Sequence, residues 1–453
     1  MPRPQHLRQG SDMPLNEILA ILCIVSFFAM LAIGMPVALT LAVSGLFFGY
    51  LGFGATLFNL LPARIFGVTA NYTLIAIPLF VFMGVMLEKS KIADDLMDVI
   101  GHMAGGLRGG MGIGIILVGV LLGATTGIVG ATIVTLGLIT LPALMRRGYH
   151  LPTACGTICA SGTLGQIIPP STILILLADI LGQSVGTLFA AALFPGLLLS
   201  AIFVIYLLVL GMVKPEFVPP VSLAERDTMT RGELWAKAAK VALPPIVLVL
   251  AVLGSIIGGI AAPTEAASMG ALGSVLVVAL SGRFSFSVLR DTTLATTRIT
   301  AGMMFILICA QVFALAFRGL NGEGLVHRMF EYIPGGINAD IIFMMLIIFV
   351  LGFFIEWIEI SYIVVPLFLP ILQAANVDMV WIAALIALNL QTSFLTPPFG
   401  WALFYLRSVA PPEVPTLAIY KGVVPYIGLQ LFALVLLFMY PSIATWLPRA
   451  IGW

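Results

Sequence analysis

The chain has 453 residues, of which 60% are hydrophobic and 9% charged, and a formal net charge of +1. Such usage requires repeated bilayer spans, and sparse Lys and Arg with no basic stripe beside stacking aromatics exclude a nucleic-acid partner. Cys23, Cys155, Cys159 and Cys309 fall in apolar segments, His6, His102, His150 and His327 fit no zinc spacing, and no P-loop, nucleophile elbow or dinucleotide fingerprint occurs, which argues against an enzyme and against a transition-metal site.

In chain order, the basic head MPRPQHLRQGSDM leads into an apolar run from Leu15 without a small-residue cleavage site, which reads as an uncleaved first span near 16–33. Spans near 36–52 and 73–88 follow, then KSKIADDLMDVIGHMAGG at 89–106, whose apolar positions recur at helical spacing among charges. That stretch is predicted to lie along the membrane surface, against lipid, as an arm. Residues 110–145 are two apolar arms around the small, polar tip GATTGIVGAT. Arms of this length suit a re-entrant hairpin, because a full crossing of about 30 Å needs roughly 20 helical residues. Residues 152–182 are two arms around GQIIPPS, a crossing broken at mid-membrane, since Pro170 cannot donate its amide and Pro169 restricts itself and Ile168. A last span, 186–213, ends the unit.

The unit then repeats. The pairs Leu141/Pro142 and Leu369/Pro370 are offset by 228 residues (370 − 142), as are Pro169/Pro170 and Pro397/Pro398 (397 − 169). The chain divides into 1–213 and 241–453, joined by a polar, amphipathic cytoplasmic linker at 214–240. The second copy has spans near 240–260, 263–281 and 299–318, an arm at 321–336, a hairpin at 336–373 and a broken helix at 378–410. Each copy crosses five times, so the two face opposite ways. With the amino terminus outside, fifteen Lys and Arg fall on the inner face, Arg298 among them, and six on the outer, in keeping with the positive-inside rule. The fold class is therefore an all-α polytopic membrane protein, an inverted structural repeat with two re-entrant hairpins and two broken helices.

A backbone break in hydrocarbon leaves amides and carbonyls unsatisfied and is tolerated where protein, ions or water serve them. A lone proline kink would be packing, but these breaks are duplicated and carry polar flanks. Gln166, Pro170 and Ser171 in one, and Gln391, Thr392, Ser393 and Pro398 in the other, are candidate substrate contacts. The first tip offers Thr125, Thr126, Gly127, Gly130 and Thr132, whose oxygens suit Na⁺. The second offers Glu356 and Glu359, an i,i+3 pair that either shares one cation or proton or else faces water at the tip. Glu265 reads as a helix-start residue, Asp179 and Arg407 as interfacial anchors, and Gly119, Gly123 and Gly127 as a small-residue packing stripe.

The segments GATTGIVGAT, LPALMRRGY, ASGTLGQIIPPS, LFPGLLL and APTEAAS resemble the large membrane subunit of tripartite ATP-independent periplasmic (TRAP) transporters. LGFFIEWIEISYIVVPLFLPIL resembles most the branch labelled mannitol/chloroaromatic. The resemblance implies a bacterial inner-membrane secondary transporter of the ion-transporter superfamily fold, driven by Na⁺ through an elevator motion, with Na⁺ as coupling ion and no other cofactor. It implies two partners: a small four-helix membrane subunit on a separate chain, and a periplasmic binding protein that delivers an organic acid. Its ion sites match Thr126, Gly127, Thr132, Gly165 and Pro169 in one copy and Glu356, Ile360, Thr396 and Pro397 in the other. The competing expectations are a stand-alone sodium/carboxylate symporter of the same fold and an intramembrane enzyme built on Glu356 and Glu359; the lack of His or Cys near either break weighs against the enzyme.

Overall fold

The computed structural model describes residues 14–104, 106–221, 230–331 and 333–453, without the side chains of residues 93, 104, 126, 231 and 331. Among the described residues every regular element is helical. The first copy holds α1 (Leu15–Ala32), α2 (Val37–Phe53), α3 (Thr56–Thr69), α4 (Ala76–Lys89), α5 (Ile92–Ala104), α6 (Gly110–Thr126), α7 (Val129–Arg146), α8 (Leu151–Thr163), α9 (Thr172–Leu181) and α10 (Val185–Val213). The second holds α11 (Arg231–Ile257), α12 (Pro263–Leu280), α13 (Phe286–Gly319), α14 (Gly322–Glu331), α15 (Gly336–Leu351), α16 (Trp357–Ala374, with a π turn at Ile360–Val364), α17 (Met379–Leu395), α18 (Trp401–Val409), α19 (Thr416–Met439) and α20 (Ser442–Ala450). Eight of the described helices are long and apolar enough to cross a membrane. The chain is a multi-pass membrane protein.

Local chemistry explains the boundaries that composition alone blurs. α11 starts inside the predicted linker because Thr230 and Glu233 form a reciprocal cap: the Glu233 amide donates to Thr230 Oγ1 at 3.3 Å and the Thr230 amide to Glu233 Oε2 at 2.9 Å. Residues 231–240, the last part of that linker, are thus the first turns of α11. Glu265 takes the Ala262 amide at 2.9 Å at the start of α12, the helix-start role its position implied. The predicted span at 73–88 is one limb of a pair, α3 with the helical run Thr73–Lys89, bent by 51°. α3 escapes a hydropathy reading because Asn59, Pro62 and Arg64 interrupt it. Its counterpart in the second copy is the unbroken, 34-residue α13.

The copies interlock: α2 packs along α13, and α12 along α4. Lys91 and Asn321, at φ 59° and 61°, turn the chain at matching points into the arms α5 and α14. Each arm is then tied to the first helix of the opposite copy by an ion pair of reversed polarity, Arg328 of α14 with Glu17 of α1, and Asp98 of α5 with Lys237 of α11 at 2.5 Å.

Both hairpins reverse. Arg147, just past α7, reaches Met111 at the start of α6, with Nη1 3.5 Å from Sδ, so the open ends of those arms lie together. In the second, the Phe330 ring on α14 stands 5.5 Å from Phe343 of α15 and 5.2 Å from Phe368 of α16. α6 and α7 both clasp α8. The core sits at the broken helices: every residue from 153 to 178 and from 381 to 395 is buried, so protein surrounds the first break, as a bilayer demands of irregular backbone, and the helix that leads into the second, whose Pro398 and Phe399 are exposed.

Candidate functional site

In the first break, α8 passes through a 3₁₀ turn at Leu164–Gln166 and a cis Pro169–Pro170 bond before α9 begins. Leu164 O accepts the amides of Ile167 and Ile168 at 3.2 and 3.0 Å, and the Ser171 hydroxyl donates to Gln166 O at 2.5 Å. The first hairpin tip seats on this turn. Gly127, at φ 59°, adopts the left-handed geometry that glycine permits, and its carbonyl accepts the Thr172 hydroxyl at 3.2 Å. One turn earlier, Gly123 meets Gly165 so closely that a Cβ on either would stand 2.5 or 2.6 Å from the other's Cα. The stripe Gly119, Gly123 and Gly127 therefore serves close packing, and it brings the tip to the break.

The second break mirrors the first. α17 ends at Leu395, Pro397–Pro398 is cis, and α18 starts after Gly400 at φ 51°. Thr396 donates to Thr392 O at 2.9 Å and Ser393 to Leu390 O at 2.7 Å. A Cβ on Gly352 would stand 2.1 Å from Ser393 Oγ, so the second hairpin also rests on its break. The two breaks meet each other: Gln391 Nε2 donates to Thr163 Oγ1 at 3.3 Å, between residues 228 apart. That separation equals the repeat offset, and equivalent residues of two inverted copies touch only near the axis relating them. Gln430 of α19 reaches the same hydroxyl at 3.5 Å.

A cavity of ≈ 260 Å³ lies between the two tips. Gly127, Ile128, Val129 and Gly130 line it from the first hairpin, Glu356, Trp357 and Ile358 from the second, and Arg298, Gly302 and Met303 from α13; Phe394 and Tyr405 complete the wall. Arg298 is exposed and makes no hydrogen bond or ion pair among the described residues. One cation and one carboxylate thus line a space between two hairpin tips.

The other predicted residues fall as follows. Thr125 donates to Leu122 O at 2.8 Å and Thr132 to Ile128 O at 3.0 Å, beside the first tip; the Thr126 side chain lies outside the described residues. Gly165 and Pro169 lie in the buried first break, Thr396 and Pro397 are half-buried in the second, and Ile360 is buried in the π turn. Glu356 and Glu359 part company. Glu356 lines the cavity, whereas Glu359 is buried, and its carboxylate oxygens have no hydrogen-bond partner among the described residues. The Gln166 side chain is likewise buried and unpartnered. Gln166, Pro170, Ser171, Gln391, Thr392 and Ser393 are all buried, Pro398 is exposed, and none of the seven lines the cavity. Among the described residues no group of three or more His, Cys, Asp or Glu could hold a metal ion.

Three features correct the sequence reading. Arg298 is not in an inner loop: α13 begins at Phe286, so Arg298 stands twelve residues, roughly 18 Å, along the helix. The polar stretch RDTTLATTRIT disguised that helix as a connection. Asp179 is not a simple interfacial anchor; its carboxylate accepts from Asn71 Nδ2 at 2.6 Å and from Tyr362 Oη at 2.9 Å, joining the first break to the α3–α4 bend and to the second hairpin. Tyr405, packed on Gly130, and Gln430 were missed, although a glutamine in the plain apolar span of α19 is itself a signal. Arg407, by contrast, binds a loop carbonyl, Val414 O, at 2.6 Å, as an anchor would.

Residues 24–443 match the family described as tripartite ATP-independent periplasmic transporter, DctM component. The C4-dicarboxylate TRAP transporter large permease protein DctM of Pseudomonas aeruginosa is 30% identical over 397 residues, covering 86% of this chain and 90% of the relative. The ectoine TRAP transporter large permease protein TeaC of Halomonas elongata is 29% identical over 441 residues, covering 94% and 97%. In fold the chain is similar to the crystal structure of the Alcanivorax borkumensis YdaH transporter, with a TM-score of 0.61 over 96% of this chain and all (100%) of that one at 14% identity. Both relatives bear permease names, not those of enzymes. The chain belongs to the TRAP transporter family, as its large membrane subunit.

Proposed function

We propose that the chain is the permease through which a sodium gradient drives uptake of a small organic acid across the bacterial inner membrane. The observation that carries this reading is the cavity enclosed by both hairpin tips and α13, with Arg298 and Glu356 on its wall. The substrate's carboxylate pairs with Arg298, whose planar fork suits it. Na⁺ sits where the tips meet the breaks. One site uses oxygens around Thr125, Gly127, Gly165 and Pro169, and the other uses Glu356, Ile360, Thr396 and Pro397. The buried, unpartnered oxygens of Glu359 support a cation nearby, because an isolated ionised carboxylate in a low-dielectric interior is costly.

The interlocked helices α1–α4 and α11–α13 act as scaffold, and the hairpins with their broken helices move as one body carried on the arms α5 and α14. Family membership supports the two partners: a separate small four-helix membrane subunit and a periplasmic binding protein. The differing cargo names of the relatives, a C4-dicarboxylate and ectoine, support a shared permease mechanism with selection divided between the cavity and the binding protein.

The test is uptake into proteoliposomes holding the chain with both partners, using labelled small organic acids and an inward Na⁺ gradient. Uptake that requires the gradient and the binding protein is expected. Equal uptake after the gradient is collapsed would refute sodium coupling, and gradient-driven uptake by the chain alone would instead favour a stand-alone symporter. Arg298→Gln should raise the half-saturating substrate concentration about 10- to 100-fold, the worth of a charge-assisted hydrogen bond, with Arg298→Lys in between.

A further inference from the structure

A second cavity, of ≈ 610 Å³, has no hairpin residue in its lining. It opens between the arm α5, the first turns of α11 and the end of α12, and three cations converge on it, Lys237, Lys240 and Arg283, against one lining acid, Asp95. Two of the three are committed. Lys237 pairs with Asp98 at 2.5 Å, and Arg283 holds Asp95 Oδ2 at 2.6 Å and Ser90 O at 2.8 Å. Lys240 is exposed and has no ion pair or hydrogen bond among the described residues.

The surroundings place this cluster at headgroup depth. Trp235, two residues before Lys237, and Phe286, three after Arg283, are 64% and 83% exposed, as aromatic residues are at membrane–water interfaces. One helical turn deeper the wall is apolar, with Leu243 and Leu280 both largely exposed. Pro244 and Pro245 add acceptors: neither can donate the helical hydrogen bond to the carbonyls of Lys240 and Val241, and both residues line the cavity.

We propose that this cavity binds one anionic glycerophospholipid, phosphatidylglycerol in chemistry, bracing the arm α5 against α11 and α12. The phosphodiester pairs with Lys240 on the side of the cavity that Lys237 and Arg283 make cationic, the glycerol hydroxyls donate to the carbonyls that the prolines leave bare, and an acyl chain runs along Leu243 and Leu280. Basic pockets between membrane helices are a recognised setting for acidic headgroups. An amphipathic protein helix would need a flat apolar face here instead of a charged recess. The proposal is independent of what the permease carries.

The test is native mass spectrometry of the full chain, with any membrane subunit that co-purifies, exchanged into detergent with titrated dioleoylphosphatidylglycerol or dioleoylphosphatidylcholine. One retained phosphatidylglycerol per chain is expected, with phosphatidylcholine retained far less. Lys240→Gln should weaken retention about fivefold, the effect of one basic residue near an acidic surface. Arg290→Gln is the control, because Arg290 is an exposed cation seven residues beyond Arg283 that does not line the cavity, and it should leave retention unchanged. Equal retention of the two lipids would overturn the proposal, as would equal behaviour of Lys240→Gln and Arg290→Gln. Displacement of the lipid by millimolar inorganic phosphate would assign the site to a free anion and overturn it too.

Discussion

Substituting Gly123 by alanine tests whether the first hairpin must touch the break for sodium to bind. The added Cβ would stand 2.5 Å from Gly165 Cα and 2.7 Å from Gly165 N, where ordinary contacts lie at 3.4–4 Å. Neither neighbour is a flexible side chain, so hairpin and break must separate by about 1 Å, a forced overpacking that costs ~1–3 kcal/mol. Gly127 lies one turn further along, and its contact with the Thr172 hydroxyl is already 3.2 Å long, so the separation breaks it and opens the first of the two proposed ion sites. The assay is thermal unfolding in detergent, titrated with NaCl against choline chloride. Gly123→Ala should melt several degrees lower in choline and need about tenfold more sodium for half-maximal protection. Gly428→Ala, where a Cβ meets nothing within 4 Å, should behave as the parent. Gly165→Ala should copy Gly123→Ala, and the double variant should cost less than the sum, since one separation relieves both clashes. A parental melting temperature and sodium midpoint for Gly123→Ala would refute the reasoning.

Other expectations follow from the same geometry. Glu356→Gln and Thr396→Val should each raise the sodium concentration for half-maximal uptake, and unchanged sodium dependence in both would remove these residues from the ion site. Asp179→Ala loses its bonds to Asn71 and Tyr362 and should cost ~1–3 kcal/mol. In a double-mutant cycle with Tyr362→Phe the losses should be strongly sub-additive, whereas full additivity would mean that the hydrogen bond contributes nothing. Gln391→Leu should disturb the meeting of the two breaks, lowering the melting temperature in the presence and absence of sodium alike; a selective loss of sodium protection would instead place Gln391 at the ion.

The duplication was legible because it is written in positions, not in contacts. The 228-residue offset between Pro169/Pro170 and Pro397/Pro398 is the separation at which Gln391 meets Thr163, so a pattern read along the chain reappears as a contact across the pseudo-symmetry axis. Hairpins and breaks were legible because hydrocarbon tolerates so few departures from helix that a Gly-rich tip or a Pro-Pro pair stands out. Arg298 was not legible as a cavity residue. Thr296, Thr297 and Thr300 beside it make the stretch read as a polar connection, and the structure shows it instead as part of α13, packed against α2 and α4. The seven candidate substrate contacts were marked by polarity beside a break; six of them are buried, none lines the cavity, and Ser171 and Ser393 donate their hydroxyls to nearby carbonyls.

Sequence alone determined that this chain lives in a bilayer, that it is built twice, and where its backbone must break, because length, hydropathy and proline act locally. Tertiary structure decided which of the residues near a break face open space. It set Glu356 on a cavity wall and Glu359, three residues on, in the interior, and it brought Arg298 across from another helix to face Glu356. Burial and convergence depend on how helices distant in the chain come to rest against each other, and no local pattern encodes that.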